Sequence, residues 1–385
     1  MRIRNSFLLF VAVIAVIVVG LAGQMTLQAY QERQNTVAAR HLAAVQGGLM
    51  KALEMVAIER GSDNGALLDD KTYDPKSDFI AKPRQNSDNA LNAVLDLARK
   101  ASHPAIDIAK IESVLKTMQD WRKRVDPVLA RPRTERPADV VRDYSPAIVA
   151  LINSMQPVLN KIDAAISRAD SDVATPMTIA RLAADMRTDA GARGTVMVNV
   201  IVSGKPITPD TQARFADYSG RMNAFWGRIT MMMDMFEPSP ALKDIYDKTN
   251  QGYFVTTLPG LYAEIRAGSE KGGQWPFTAP EFRLRHNPAL YVAGTLRDTA
   301  VAEAQLVADA AIADRTRSLA IQGSITLAGI LLLIAGAVFF LRRVISPMGS
   351  ITQTMTRIAE GQQAEIGFAD RTDEVGDMAK ALGIF

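Results

Sequence analysis

The sequence predicts an all-α protein: a double four-helix bundle held between two transmembrane helices and followed by a short helical linker. Three observations carry this. Two uncharged apolar runs lie near the ends of the chain, residues 7–23 (FLLFVAVIAVIVVGLAG) and 325–341 (ITLAGILLLIAGAVFFL). The composition is 48% hydrophobic but only 6% aromatic, so Ala, Val, Ile, Leu and Met carry the apolar content, which favours helix. No run of alternating β-branched residues competes with helical spacing.

Composition also excludes several function classes. Lys and Arg number 44 against 41 Asp and Glu, a net charge of +3, so no strong basic excess points to nucleic acid. Cysteine is absent and the three histidines, His41, His103 and His286, are far apart, which excludes disulfide scaffolds, thiol catalysis and Cys/His zinc sites. No nucleophile with a base and an orienting group can be assembled, so the sequence predicts no catalytic residue, metal, cofactor or enzyme activity.

Taken in order, residues 1–6 form a cytoplasmic N-terminus and 7–26 the first span, long enough with its flanks to cross about 30 Å of hydrocarbon. A cleavable signal peptide competes, with Arg2 and Arg4 as n-region and Gly20 or Ala22 near a cleavage site. The apolar stretch is longer than a usual h-region, and the helical pattern runs on without a break, which favours the span. The second span occupies 320–341 and is followed by Arg342 and Arg343. Positive charge beside each span puts both outer ends in the cytoplasm and residues 24–324 outside it.

The external segment is punctuated by DDKTYDPKSD (69–78), His103-Pro104, RPRTERP (131–137), ATP (174–176), SGKPITPD (203–210), EPSP (237–240) and KGGQWPFTAPEF (271–282). Eight helix-length segments lie between these loops. Thr175 before Pro176 and Ser239 before Pro240 read as N-cap followed by Pro at the first helical position. An even number of helices returns the chain to the membrane it left.

This segment divides into halves, 27–172 and 173–319, whose opening helices share a phrase: ALEMVAIERGSDNGALL and AADMRTDAGARGTVMVNV, with Glu59-Arg60-Gly61 aligned to Ala192-Arg193-Gly194. Met50, Leu53, Ala57, Arg60, Asn64 and Leu67 alternate steps of three and four, and so do Ile179, Ala183, Met186, Ala190, Arg193, Met197 and Val200. Such spacing makes a buried seam with an arginine on each. An unpaired buried guanidinium is expensive, so it needs an anion or several acceptors. Three bland fates stay open: pairing with a neighbouring carboxylate, snorkelling out between helices, or local fraying at the following Gly. Two arginines at matching places weigh toward a small anionic ligand.

Beyond the second span, Val344, Met348, Ile351, Met355 and Ile358 form one heptad seam, and Val375, Met378, Leu382 and Phe385 form another after a connector opened by Gly361. Seams this short are buried only with partners, which implies a homodimer.

The ERG phrase near the distal end of the first external helix, the second Gly-x-Arg helix and the double helical bundle resemble the nitrate- and nitrite-sensing (NIT) domain and related helical bimodular sensors. The resemblance implies a small-anion site held by Arg60 and Arg193, with Glu59 and Asn64 beside Arg60. Forked guanidinium donors suit a planar trigonal anion. The residues before the phrase are Val56, Ala57 and Ile58, where the family usually carries a Gln. Residues 342–385 resemble a HAMP linker, with Pro347 just past the membrane, seam residues Ile351 and Met355, Gly361 closing the first helix, and Asp373-Glu374-Val375-Gly376 opening the second. That implies a signal relay through Pro347, Ile351, Met355, Gly361, Glu374 and Gly376.

The expectation is a bacterial inner-membrane, multi-pass, dimeric receptor with a periplasmic sensor. Its first reading is a methyl-accepting chemotaxis transducer, followed by the sensor portion of a histidine kinase or diguanylate cyclase. A ligand-free helical membrane tether is the reading from another class. No kinase, cyclase or methyl-accepting hairpin is read within the 385 residues, so either the output is unreadable in this sequence or the chain is a fragment. Met231, Met232, Met233 and Met235 read as adaptable packing in preference to a Cu(I) site. Gly47-Gly48 reads as a close helix contact or a kink.

Overall fold

The computed structural model describes residues 3–384. Arg2 and Phe385, which the sequence assigns to topology and to the last heptad step, lie outside the described residues, as does the side chain of Arg4. The chain forms two compact units: Gln34–Ile312 is one, and Met1–Arg33 with Ala313–Phe385 is the other.

In the first of these units, the distal part of α1 (Ile3–Leu68) is followed by α2 (Asp78–Ala101), α3 (Ile108–Leu129), α4 (Ala138–Asn153), α5 (Gln156–Ala169), α6 (Ser171–Ser203), α7 (Pro209–Met233), α8 (Pro240–Asn250), α9 (Thr257–Glu270) and α10 (Ala279–Phe340). No strand occurs among the described residues. The predicted loops at 69–78, 103–104, 131–137, 203–210, 237–240 and 271–282 each span a break between helices, although α10 already begins at Ala279 within the last, whereas the predicted break at 174–176 lies inside α6. Two breaks were not predicted: a turn at Ser154-Met155, and a π-helical turn, Gln251–Val255, between α8 and α9.

Ser239 caps α8 by accepting from the Leu242 N–H, with Pro240 in the first turn, as the sequence predicts. Thr175 is not a cap. The helix begins earlier because Asp170 accepts from the Asp172 and Val173 N–H groups, and Pro176 then lies inside α6. A carboxylate meeting two orphan donors is a stronger start signal than the Thr-Pro pair downstream.

Helices α1 and α6 run parallel in register. Thr36 Oγ1 donates to Asp170 Oδ2 at 2.7 Å, and Glu54 Oε1 lies 2.9 Å from Arg187 Nε. Glu54 to Arg187 is the same offset as Arg60 to Arg193, so the weak sequence repeat is a structural one. Helix α10 runs antiparallel against α1, with Arg40 on Asp309 and Glu54 on Arg297. Gly47 lets the two approach, since a Cβ there would lie 2.6 Å from Val301 Cγ1. The two bundles therefore lie side by side.

The apolar interior does not divide where the repeat does. One cluster joins the first bundle to Val173–Ala183 of α6, Ile229 and Met233 of α7, Leu242 and Ile245 of α8, and Leu296, Ala300, Ala304 and Ala308 of α10. A second holds Met186, Ala190 and Met197 of α6 with Tyr253, Leu261, Ile265 and Phe282. Each fully buried large side chain contributes about 1.5–3 kcal/mol, so the larger core ties both halves together. Met233 joins that core while Met231 and Met235 are exposed, so the methionine run is divided between core and surface.

In the other unit, the start of α1 and the end of α10 contain segments long and apolar enough to cross a membrane. Their large apolar side chains, Phe10, Val16, Leu332 and Phe339 among them, are exposed. Phe7 and Phe340 meet with ring centroids 4.5 Å apart. A π-helical turn, Leu341–Ile345, leads into α11 (Ser346–Ala359), and α12 (Glu374–Leu382) follows the connector. Pro347 sits in the first turn of α11, and Gly361 at φ +78° ends that helix region. Asp373 caps α12 by accepting from the Gly376 N–H, and a side chain at Gly376 would overlap the Arg371 carbonyl. Ile351, Val375, Ala379 and Leu382 form a small core, whereas Met355 is 58% and Met378 49% exposed.

The C-terminal end of α1 is closed by one buried side chain from afar. Arg136 donates from Nη1 to the carbonyls of Ala66, Leu67 and Asp69 at 2.9, 2.9 and 2.6 Å, and from Nη2 to that of Lys71 at 2.6 Å. Ala66 and Leu67 lie in the last turn of the 66-residue helix, whose carbonyls lack intrahelical partners, and Asp69 and Lys71 belong to the bend that follows it. Arg136→Ala is expected to destabilise the protein by about 2–3 kcal/mol, read as a lower unfolding temperature of the detergent-solubilised chain, because charged hydrogen bonds are lost and buried acceptors stay behind. An unchanged unfolding temperature would refute the capping role.

Candidate functional site

The buried charges of the first bundle form a closed set. Glu59 is fully buried, and its oxygens accept from Arg122 Nε at 2.7 Å, from Arg122 Nη2 at 2.8 Å and from Ser87. Asp63, one turn on, accepts from Arg84 Nη2 at 3.0 Å and from Tyr144 Oη at 3.1 Å. Arg122 and Arg84 reach further out to Asp88 and Asp126. Burial pushes the Asp63 carboxyl up to about 6, with Arg84 opposing. Glu59, expected in the anion site, is thus engaged by Arg122 and Ser87.

Arg60 is different. Its Nη1 donates to Ser145 Oγ of α4 at 2.9 Å, while its buried Nε has no hydrogen-bond partner among the described residues. Burial lowers its proton affinity, Tyr144 opposes, and the like charge of Arg187 pushes the same way as burial. Asn64 lies four residues on, half-buried on the same face.

Arg193 is buried in the second bundle. Nη1 donates to Ser219 Oγ of α7 at 3.0 Å, and the guanidinium carbon lies 4.3 Å from the Tyr262 ring centroid and 5.2 Å from that of Phe215. Nε and Nη2 are buried with no hydrogen-bond partner among the described residues. Ring faces stabilise the cation without saturating its in-plane donors. Gly194 is required beside it, because a methyl group there would overlap the His286 ring. His286 Nε2 lies 3.0 Å from Tyr262 Oη and completes this wall.

Arg60 and Arg193 therefore stand at one level of two parallel helices, each held by a serine of its own bundle. Sequence reasoning missed four residues between the two bundles: Glu54, Arg187, Arg297 and Tyr253. Glu54 is shared by Arg187 of α6 and Arg297 of α10. The Tyr253 hydroxyl, in the π-helical turn, is buried without a hydrogen-bond partner among the described residues, and Arg187, Arg193 and Glu54 all act on it electrostatically. A signal for the first two existed: the repeat alignment sets Glu54 against Arg187, opposite charges at equivalent places. Nothing in the local pattern marks Tyr253. Trp275, in the Gly/Pro loop, packs on Gly268 of α9.

The described fold is thus all-helical, with buried, partly unfilled guanidiniums in one unit and a two-helix linker past an apolar helix in the other. Residues 51–281, more than half of the chain, match the family described as nitrate and nitrite sensing (NIT), and residues 339–385 match the HAMP domain. The chain belongs to the NIT family and carries a HAMP domain. Both are signalling domains, and together they support a nitrate/nitrite-sensing, signal-transducing receptor. A comparison with curated proteins finds no match. Among solved structures, "Structure of the NasR transcription antiterminator" is similar at 15% identity, covering 95% of this chain and 98% of that one, with a TM-score of 0.49.

His286 supplies a pH test of this region. Burial lowers its pKa from 6.5 to about 4, assisted by the charge of Arg193. Between those values the unfolded chain takes up a proton that the folded one refuses, so stability falls as pH drops from about 6.5 toward 4. Unfolding temperatures measured across that window are expected to fall less steeply in His286→Gln than in the parent; equal slopes would refute it.

Proposed function

We propose that the protein is a dimeric bacterial inner-membrane receptor. In this reading a small periplasmic anion, nitrate or nitrite, binds at Arg60 and Arg193, and HAMP relays the signal inward. The supporting observation is the pair of buried guanidiniums with unfilled donors. Leaving such donors unmet costs about 1–3 kcal/mol per group, and a planar anion with several acceptor oxygens removes that cost. Asn64 lies on the same face as Arg60 and provides a neutral donor. Glu59 serves as a positioning group that, through Arg122, holds the distal end of α1.

Binding becomes a signal only if the anion favours one packing of the helices over another. Helices α1 and α10 are each continuous between the sensor and the apolar segments, so a small axial or rotational shift between them is the carrier this reading favours. A coupling of about 1–3 kcal/mol suffices for a linker poised between states. Pro347, Ile351, Met355, Gly361, Glu374 and Gly376 form the relay. The exposure of Met355 and Met378, on the same seams as the buried Ile351, Val375 and Leu382, supports a second copy as the missing partner. The output proposed first is that of a methyl-accepting chemotaxis transducer.

Sodium nitrate should raise the unfolding temperature of the purified full chain, by mass action equivalent to about 2.7 kcal/mol at one hundred times Kd. Arg60→Ala and Arg193→Ala should each abolish the gain. A gain that survives in both variants would overturn the two-arginine site. For assembly, Met355→Cys should crosslink between subunits in membranes while the exposed control Gln353→Cys does not, and the opposite pattern would overturn the dimer seam.

A further inference from the structure

Glu54 is the one carboxylate of α1 that reaches both other helices of the junction. Its Oε1 lies 2.9 Å from Arg187 Nε, and its Oε2 accepts from Arg297 Nη1. The two holds are unequal. Arg297 is almost fully buried and is fixed by a second carboxylate, with Nη2 2.8 Å from Asp298 Oδ1, which in turn lies 3.5 Å from Lys51. Arg187 meets Glu54 at ion-pair distance, but its buried Nε lacks hydrogen-bond alignment with any acceptor. A misaligned buried ion pair recovers little of its desolvation cost.

Three further observations bear on Arg187. It is the guanidinium whose like charge acts on Arg60. It precedes Arg193 by six residues on α6, about 9 Å along the helix axis. The Tyr253 hydroxyl, buried and unpartnered, is acted on by Arg187, Arg193 and Glu54 together. Arg187 and Arg297 share a single carboxylate here, and the unpartnered Tyr253 hydroxyl lies within its field.

We propose that Glu54 is a built-in competitor of the sensed anion: it occupies Arg187 in the ligand-free protein, and the anion takes Arg187 from it, leaving Glu54 to Arg297 of α10. This rests on the two-arginine reading and deepens it. Arg187 becomes the third guanidinium of the site, and Glu54 a positioning residue that sets the concentration at which the receptor responds. The exchange also changes what ties α1 to α6 relative to α10. The anion therefore loosens the α1–α6 tie through Glu54 and leaves the α1–α10 tie as the sole ion pair of that carboxylate.

The test is nitrate titration of the full chain in detergent, read as the nitrate concentration giving half of the maximal rise in unfolding temperature. Glu54→Gln should lower that concentration about tenfold, and Arg187→Gln should raise it about tenfold. In the double variant, Glu54→Gln should no longer have an effect, because the guanidinium it freed is gone. A purely structural Glu54 would instead leave the midpoint unchanged or raise it, or would act equally in both backgrounds; either result overturns the proposal. Should Glu54→Gln fail to fold, Glu54→Asp, a shorter and weaker hold on Arg187, should move the midpoint in the same direction, and no movement would overturn the proposal. If the parent responds to nitrate and Arg60→Ala does not, while the Glu54 and Arg187 variants match the parent, only the competitor fails. If the parent itself does not respond, the two-arginine reading and the competitor fall together.

Discussion

Charge that is buried must be paired, and in this protein one carboxylate answers for charges on two other helices. Glu54 of α1 takes Arg187 from α6 and Arg297 from α10, so three helices that are remote in sequence meet at a single side chain. Removing any member would strand charge in a low-dielectric interior, a larger penalty than the net value of the pair itself. The interaction therefore acts as a registry device. It sets α1 and α6 parallel at the offset of the sequence repeat and sets α10 against α1, where Gly47 leaves room for Val301.

The two bundles handle their arginines in contrasting ways. In the first, Glu59 with Arg122 and Asp63 with Arg84 are matched cation to anion, and Ser87 and Tyr144 take part of the remaining capacity. A network so well satisfied favours rigidity over exchange. In the second, Arg193 is held by ring faces and one serine, and its Nε and Nη2 find no hydrogen-bond partner among the described residues. Arg60, with its unfilled Nε, stands beside this frame, so each bundle carries one under-satisfied guanidinium whose donors are already held in place.

The linker obeys the same bookkeeping with apolar area in place of charge. Ile351, Val375, Ala379 and Leu382 cover one another within a protomer, while Met355 and Met378 on the same heptads do not. Arg371 steadies the connector, donating from Nη2 to the Arg343 carbonyl at 2.9 Å and pairing with Asp373, whose carboxyl this hydrogen bonding holds at about 2. The π-helical turn at Leu341–Ile345 thereby has one of its carbonyls tied to the start of α12.

Much of the fold was legible from local chemistry. The apolar runs, the Gly/Pro-punctuated loops, the Ser239 cap and the seam through Arg193 follow from the 3.6-residue period and from turn residues, which act over a few positions. The Thr175 cap failed because Asp170 competes with it nearby, and the pattern alone does not say which donor set wins. The α1 stripe was read one step off: Arg60 and Asn64 are half-buried, and the deepest polar positions are Glu59 and Asp63. A heptad names a stripe about 100° wide but not the helix that will cover it, and α2 and α3, bringing Arg84 and Arg122, turned the charged edge inward. Local chemistry thus fixes the helical class, the apolar segments, the linker and two arginines at equivalent places. The company those arginines keep comes from packing. Glu54 meets Arg187 and Arg297, and Arg193 meets the Tyr262 ring backed by His286, across separations of up to 243 positions, and no local period encodes a contact at that separation.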